Sequence, residues 1–223
     1  MANRLEEMPL FPLHAVLFPH SQMHLHVFER RYREMIRHCL EYDTPFGIVL
    51  IRSGSEVGAA ADPYLVGTAV RIVRAQEFGD GRMDIVVQGE RRFRIRELDE
   101  TRPYLVGKVE PLVESEALTQ ETKELFTQAK NIFKLFVEQV LRRQEVSIDI
   151  SLPGDDPVSL SFAIASLLPL ENLEKQRLLE TTSTSERVED LLPRLQEQLL
   201  SSGEEQSYYR VRASDLASLF LPN

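Results

Sequence analysis

Residues 66–98 carry the pattern that decides the fold: VGTAVRIVRAQEFGDGRMDIVVQGERRFRIREL. Apolar residues occur here in short runs, often at every second position, which is typical of β-strands. Gly79-Asp80-Gly81 separates two of the runs, and glycine supplies the positive φ that a tight hairpin needs. The stretch therefore predicts strands at Val66–Phe78, Arg82–Gln88 and Glu90–Leu98, with a hairpin between the first two.

Short apolar runs of the same kind fill the chain on either side of this stretch, up to about residue 113. Residues 29–41 are different, because their apolar side chains fall at helical spacing and predict a short helix. The predicted inward face of that helix consists of Tyr32, Met35, Ile36, Cys39 and Leu40. The remaining predicted strands are Met8–Leu13, Met23–Phe28, Phe46–Ile51 and Tyr104–Pro111.

A helical period replaces the strand pattern from about residue 116, and a wide apolar stripe predicts a long helix that residues 144–154 then break. Pro193 lies inside the last helical pattern, and a kink or break is expected near it because proline lacks a backbone donor. The apolar stripe of the long helix consists of Leu125, Ala129, Ile132, Phe133, Phe136, Val137, Val140 and Leu141. The later predicted helices run from an Asp156-Pro157 cap to about Leu168, over Leu170–Glu180, and from a capping box at Ser183 to Leu200.

The composition narrows the range of functions. The 223 residues carry a net charge of −9, so nucleic acid is a disfavoured partner. The single cysteine, Cys39, excludes an internal disulfide framework, and a buried, inert thiol is expected there. The start of the chain carries acids where a secretory signal would be basic, and prolines interrupt the apolar stretch that follows. No apolar run approaches the roughly 20 residues of a membrane span. A cytoplasmic protein that does not enter a membrane is therefore predicted.

Two groups of motifs in the first half resemble the substrate-binding domain of Lon proteases in order and spacing. The first group is Met8-Pro9-Leu10-Phe11-Pro12-Leu13, Val16-Leu17-Phe18-Pro19 and Met23-His24-Leu25-His26-Val27-Phe28-Glu29. The second group is Gly67-Thr68-Ala69-Val70-Arg71-Ile72, Asp80-Gly81-Arg82 and Gly89-Glu90-Arg91-Arg92-Phe93-Arg94-Ile95. The helical half is also similar to the family at Lys175-Gln176, Leu178-Leu179-Glu180 and Glu186-Arg187. The similarity therefore extends over about residues 8–200.

This resemblance implies an α+β fold with a PUA-like β pseudobarrel at residues 1–115, a helical bundle at 116–202 and a C-terminal tail at 203–223. The chain contains no G-x-x-x-x-G-K-[ST] phosphate loop. The Ser-Lys pair of Lon proteases belongs to a domain outside the similarity, so no catalytic residue is carried over. We therefore expect a free-standing, non-enzymatic relative of the recognition region that uses no cofactor.

Two groups of polar side chains are candidates for ligand binding. His24 and His26 would share one face of a strand and could ligate zinc if a third group converged on them, but a semi-polar surface opposite the core is favoured. Arg92, Arg94 and Arg96 would form a stripe that could contact phosphates or an acidic peptide. The acids that surround the stripe favour a solvated face with local ion pairs.

The leading hypothesis from the sequence is a non-catalytic module that binds unfolded or apolar polypeptide segments and could work with a separate ATP-dependent protease. We expect a concave binding surface where barrel and bundle meet. The candidate contacts are His26, Phe28, Arg30 and Tyr32, for which barrel core and helix cap are the alternative roles. The alternative functions are an uncharacterised enzyme and an RNA-binding protein that uses the PUA-like barrel.

Overall fold

The computed structural model describes residues 5–58, 61–115, 120–143 and 156–201. The chain divides between Val113 and Glu114 into two compact units. Among the described residues, the first unit contains six strands and one helix, and the second contains four helices. The strands are β1 (Glu6–Leu13), β2 (Gln22–Val27), β3 (Phe46–Ser53), β4 (Asp62–Glu77), β5 (Met83–Asp99) and β6 (Val106–Pro111). The helices are α1 (Arg30–Tyr42), α2 (Gln120–Arg143), α3 (Pro157–Leu167), α4 (Asn172–Glu180) and α5 (Thr184–Ser201).

The predicted hairpin is confirmed, since β4 and β5 pair antiparallel on either side of the 78–82 turn. The prediction of two strands after the turn is wrong, because β5 is continuous from Met83 to Asp99. Gly89 does not end the strand, and the register next to it shifts so that Glu90 is an extra residue opposite β4. Such a β-bulge bends a strand and increases its twist without ending it.

β5 is the strand on which the sheet of the first unit is assembled. The strand order is β2-β5-β4-β3-β1-β6, and β6 also pairs with β5. The first half of β5 pairs with β2, as in His24↔Val86, while the second half pairs with β6, as in Ile95↔Val109. β1 and β3 pair in parallel, and the other pairings are antiparallel. The bend in β5 therefore lets one strand serve two different neighbours on the same edge.

Gly89 brings the backbone of β5 against the loop that precedes β2. Its N–H donates to the Ser21 carbonyl and its own carbonyl accepts from the His20 N–H, both at 2.8 Å. A Cβ atom at this position would lie 2.4 Å from the Phe18 carbonyl oxygen. A side chain cannot be accommodated there unless the loop moves, so glycine fixes where β2 begins.

Helix α1 covers one face of the sheet. Tyr32, Met35, Ile36 and Cys39 are buried in a core cluster of the first unit, as the sequence predicts. Leu40 is 45% exposed, so its assignment to the inward face is wrong. Each residue of a helix turns the side chain by about 100°, which carries Leu40 away from the sheet beyond Cys39.

The helices of the second unit largely follow the predicted pattern. Asp156 caps α3 by accepting from the N–H groups of Val158 and Ser159, and α4 and α5 lie where the apolar spacing places them. α5 continues through Pro193, so no break occurs there. The Pro193 ring is exposed, and the buried Val188, Leu191 and Leu195 anchor the helix on its other face.

The predicted break at residues 144–154 and the predicted tail at 203–223 both lie wholly outside the described residues. None of the helices that the structure does describe has the length and apolar content to cross a bilayer.

A buried arginine links the helices of the second unit. The Arg187 side chain is fully buried, and its guanidinium lies 4.2 Å from the centre of the Phe162 ring on α3. The same guanidinium donates hydrogen bonds of 2.7–3.2 Å to oxygens of four residues: Glu114, Ser161, Thr181 and Thr184. Because a buried charge without partners is very costly, these contacts tie α3, the α4–α5 connection and the start of the unit together.

We predict that Gly89→Ala lowers the free energy of unfolding by about 2 kcal/mol, because the new methyl group overlaps the Phe18 carbonyl. Gly79→Ala is the matched control, since a methyl group there would have no atom within 4 Å and the φ of Gly79 is not in the left-handed region. It should change the free energy by less than about 0.5 kcal/mol. Urea denaturation of both variants measures the difference, and equal stabilities would contradict the proposed close approach.

We predict that Arg187→Ala destabilises the second unit by about 3–5 kcal/mol, because it removes one partner of a buried charge network. The matched control is Arg177→Ala, which removes a 2.7 Å ion pair with Asp190 whose side chains are 60% and 47% exposed. Solvent screens such a pair, so its loss should cost at most about 1 kcal/mol. Thermal denaturation followed by circular dichroism compares the variants, and similar losses in both would show that the Arg187 network is not a major source of stability.

Candidate functional site

A groove in the first unit is the leading candidate for a binding site. Its volume is about 200 Å³, and it lies between β1, β2, the start of α1 and the 54–58 loop. We call it the β1–β2 groove. Its lining residues are Phe11, Pro12, Leu13, His24, Leu25, His26, Val27, Phe28, Glu29, Tyr32, Glu56 and Val57. All of them belong to the first unit.

The inner wall of the groove is aromatic. The rings of Phe11 and Tyr32 meet edge to face with centroids 4.1 Å apart, a favoured arrangement for aromatic pairs. The Arg31 guanidinium lies 4.6 Å from the centre of the Tyr32 ring. Burial raises the pKa of the Tyr32 hydroxyl; Arg31 opposes this increase, and Glu29 and Glu56 add to it. The hydroxyl therefore stays protonated at neutral pH and the wall carries no negative charge from this ring.

β2 supplies one flank of the groove with two different faces. Leu25 packs against the core and Val27 is buried, whereas His24 and His26 are exposed. The predicted semi-polar surface for the two histidines is therefore confirmed. His26 Nδ1 lies 2.6 Å from Asp84 Oδ1 on β5, its partner in the antiparallel register. No group of three or more His, Cys, Asp or Glu side chains suited to a metal is present in the described part of the chain.

The rim of the groove exposes large apolar side chains. Phe28 is 48% exposed and Val57 is 53% exposed, and the Phe28 ring stacks at 6.1 Å on the imidazole of His26. The two side chains lie at the ends of different segments, one after β2 and one in the 54–58 loop. Exposed apolar side chains on both rims are suited to contact with another apolar group.

Two carboxylates hold the 54–58 loop in place beside the groove. Glu29 accepts a 3.2 Å hydrogen bond from the Gly58 N–H, and Glu56 accepts one from the His14 N–H. Arg31 adds a 3.2 Å bond to the Glu56 carbonyl. Because these acids already accept bonds from the protein, they shape the groove as well as line it.

The comparisons with known proteins agree with one another. The family model of the ATP-dependent protease La (LON) substrate-binding domain matches residues 7–197. This chain belongs to that family. Lon protease of Anaeromyxobacter dehalogenans is 31% identical over 195 residues, which cover 83% of this chain and 22% of that protein. Lon protease 2 of Myxococcus xanthus is 32% identical, with 83% and 23% covered. The chain thus spans less than a quarter of the length of these relatives.

Solved structures show the same relationship for this Lon substrate-binding domain. A Lon N-terminal domain protein from Xanthomonas campestris matches with a TM-score of 0.60 and 32% identity, covering 85% of this chain and 98% of that one. The N-terminal domain of Lon protease from the Mycobacterium avium complex matches with a TM-score of 0.63 and 20% identity, covering 86% and 99%. The second match supports the fold alone, and together they establish the Lon N-terminal domain fold.

The structure brings together three of the four candidate contacts that the sequence predicts. His26, Phe28 and Tyr32 line the groove, while Arg30 lies outside it. The Arg30 side chain is 86% exposed and forms an ion pair of 2.9 Å with Glu34 one turn later. The sequence did not identify Phe11 and Val57, which approach the groove from distant parts of the chain. The apolar Val57 within a polar, glycine-containing loop was the one signal that could have drawn attention to the second of them.

Two other expectations for this Lon substrate-binding domain have different outcomes. The prediction of a solvated face is wrong at Arg92. This residue is only 3% exposed and lies opposite the fully buried Thr68 in the ladder. Arg96 is exposed and pairs with Glu110, as expected of a solvated position. Cys39 is buried as predicted, and burial raises the pKa of its thiol to about 11. At neutral pH the reactive thiolate form is therefore scarce.

Proposed function

We propose that this Lon substrate-binding domain is a non-catalytic module that recognises exposed apolar polypeptide segments through the β1–β2 groove. The observation that carries the proposal is the placement of Phe28 and Val57, both about half exposed, on the rims of a preformed groove with an aromatic wall. Exposing such apolar side chains next to each other in water costs a folded protein free energy. A polypeptide segment that covers them recovers part of that free energy.

The chemistry of the groove favours binding over catalysis. Its carboxylates, Glu29 and Glu56, accept hydrogen bonds from the loop that they hold in place. The His26 side chain is about half exposed and is paired with Asp84 at the surface. It is therefore not enclosed with a nucleophile. An enzyme pocket brings several polar groups to one buried point where a reacting atom can sit. The groove instead has a lining in which apolar side chains outnumber the polar ones.

Polypeptide is favoured over nucleic acid as the partner. The chain carries a net charge of −9, which opposes the approach of a polyanion. The candidate arginine stripe is also unsuited to phosphates, because Arg92 is buried and Arg96 is paired with Glu110. A separate ATP-dependent protease could receive the bound polypeptide, by analogy with the relatives in which this domain is joined to the other parts of Lon.

We further propose that the first unit is a PUA-like pseudobarrel. Each strand in the series β5, β4, β3, β1 and β6 is hydrogen-bonded to the next, and β6 pairs again with β5. A series of pairings that returns to its first strand is the arrangement expected of a barrel-like sheet. In this interpretation the pseudobarrel occupies residues 1–115 and a helical bundle occupies 116–202.

A binding experiment tests the functional proposal. Phe28→Asp should weaken the binding of reduced, carboxymethylated α-lactalbumin at least tenfold, because it replaces an apolar contact on the rim with a charge. Leu173→Asp is the matched control: Leu173 is 65% exposed on α4 and does not line the groove. This control should bind within twofold of the parent protein in fluorescence anisotropy.

The same titrations with a 20-nucleotide single-stranded RNA test the alternative partner. We expect weak RNA binding, and we expect α-lactalbumin to remain full-length after prolonged incubation with the protein. Equal losses of α-lactalbumin binding in both variants would remove the groove as the site. Submicromolar RNA affinity without affinity for the unfolded protein would overturn the polypeptide proposal.

Limited proteolysis tests the proposed division into domains. The first cut should fall between residues 111 and 122, where the strand pattern stops and the helical period begins, and should leave two resistant fragments. Mass spectrometry of the fragments locates the cut. A first cut within residues 66–98 would contradict the division, because it would place the weakest point of the chain inside the paired strands β4 and β5.

A further inference from the structure

The carboxylates of the β1–β2 groove are not balanced by a cation in its lining. Glu29, at the start of α1, and Glu56, in the 54–58 loop, line the groove, whereas no lysine or arginine of the described residues does. Both acids are partly buried. Solvent therefore screens their charges less than it screens charges on the open surface.

Each of the two carboxylates has one oxygen that receives no hydrogen bond or ion pair from the described part of the protein. Glu29 makes both of its contacts through Oε2, which lies 3.2 Å from the Gly58 N–H donor and 3.2 Å from the Arg31 guanidinium. Glu56 accepts from the His14 N–H through Oε1. A carboxylate can accept bonds at both oxygens, so Glu29 Oε1 and Glu56 Oε2 are left for another donor.

The two arginines that follow Glu29 do not supply this donor. Arg30 does not line the groove, and its side chain, 86% exposed, is paired with Glu34. Arg31 is paired with Glu29 Oε2 and donates to the backbone carbonyl of Glu56, not to its carboxylate. One arginine therefore faces two acids here, and negative charge is in excess.

The β2 flank of the groove does not reverse this balance. His26 Nδ1 lies 2.6 Å from Asp84 Oδ1, so a third carboxylate stands beside the histidine. A proton on His26 would be matched by the charge of Asp84. The net charge of −9 on the whole chain has the same sign as this local excess. An anionic group is therefore disfavoured in the groove, and a cationic group is favoured.

Phe28 provides a cation with a second kind of partner. Its ring is 48% exposed on the rim of the groove, and it directly precedes Glu29 in the chain. The face of an aromatic ring attracts ammonium and guanidinium groups. The rim can therefore contact both the apolar stem and the charged end of a lysine or arginine.

The size of the groove limits how much of a partner it can enclose. Its volume of about 200 Å³ is below the roughly 300–1,000 Å³ of small-molecule sites, and it suits one large apolar side chain. An extended segment advances about 3.3 Å per residue. A basic residue within two positions of the enclosed side chain therefore starts within about 7 Å of it, and its flexible stem can carry the charge to the groove acids.

We propose that the β1–β2 groove selects polypeptide segments in which a large apolar residue lies within two positions of a lysine or arginine. The apolar side chain occupies the groove, and the cationic group donates to the carboxylates of Glu29 and Glu56. This inference rests on the proposed function and names the class of segment that the same site takes.

A set of matched peptides tests this selection in the full chain. Each probe is a dye-labelled, nine-residue glycine–serine peptide with a central phenylalanine, flanked on both sides by lysine, by glutamine or by glutamate. Fluorescence anisotropy should show that the lysine peptide binds about fivefold more tightly than the glutamine peptide, because it adds charge-assisted hydrogen bonds that solvent partly screens. The glutamate peptide should bind most weakly. A lysine peptide with serine in place of phenylalanine should lose at least fivefold.

A charge-neutralising exchange locates the preference. Glu56→Gln removes one groove charge and keeps a side-chain oxygen that can accept from the His14 N–H. It should reduce the preference for lysine over glutamine to less than twofold. Glu41→Gln is the matched control, because it changes the net charge equally and Glu41 is an exposed residue of α1 that does not line the groove. This control should keep the fivefold preference, and circular dichroism should show that both variants are folded.

The outcomes separate this inference from the proposed function. Equal binding of the lysine and glutamine peptides, or failure to bind the lysine peptide by a protein that binds unfolded α-lactalbumin, would overturn the inference alone. A preference that survives equally in both variants would assign it to the overall charge of the chain and would also overturn the inference. Absence of binding to the peptides and to unfolded α-lactalbumin would overturn the proposed function itself.

Discussion

The first unit depends on the close contact between Gly89 and the loop that precedes β2. Gly89 forms two backbone hydrogen bonds, to His20 and Ser21, that hold β5 against this loop. A Cβ atom at Gly89 would have no space beside Phe18, so the close contact requires glycine. The adjacent bulge bends β5, so its first half pairs with β2 and its second half with β6. Without this bend, one strand could not serve both neighbours, and β2, which borders the groove, would not be in its present position.

The groove depends on a few interactions that link distant parts of the chain. Phe11 from β1 and Tyr32 from α1 form its wall, while Glu29 and Glu56 hold the 54–58 loop on the opposite side. The loop, held in this way, exposes Val57 on the rim. Each of these contacts has an ordinary structural role, and together they create a concave apolar surface. The shape of the groove therefore rests on the packing that also stabilises the first unit.

The second unit is organised on a different principle. Its helices have the amphipathic faces expected of a bundle, but Arg187 places a charge in their midst and satisfies it with oxygens from several segments. Apolar packing alone tolerates small rotations of neighbouring helices, whereas a guanidinium with directed hydrogen bonds does not. The network thus selects one arrangement of the helices, and Glu114 connects it to the start of the unit.

The sequence by itself determined the elements that local periodicity and local capping control. The hairpin at 78–82, the short helix after β2 and the Asp156 cap of α3 follow from residues close together in the chain. The motifs also determined the family, and the passage from a strand into a helix indicated His26, Phe28, Arg30 and Tyr32 as candidate contacts, of which Arg30 does not line the groove. Tertiary structure decided the rest, because the burial of Arg92, the continuity of β5 and the position of Val57 depend on partners far away in sequence. Periodicity describes which face of an element is apolar, but only the folded chain determines what lies opposite that face.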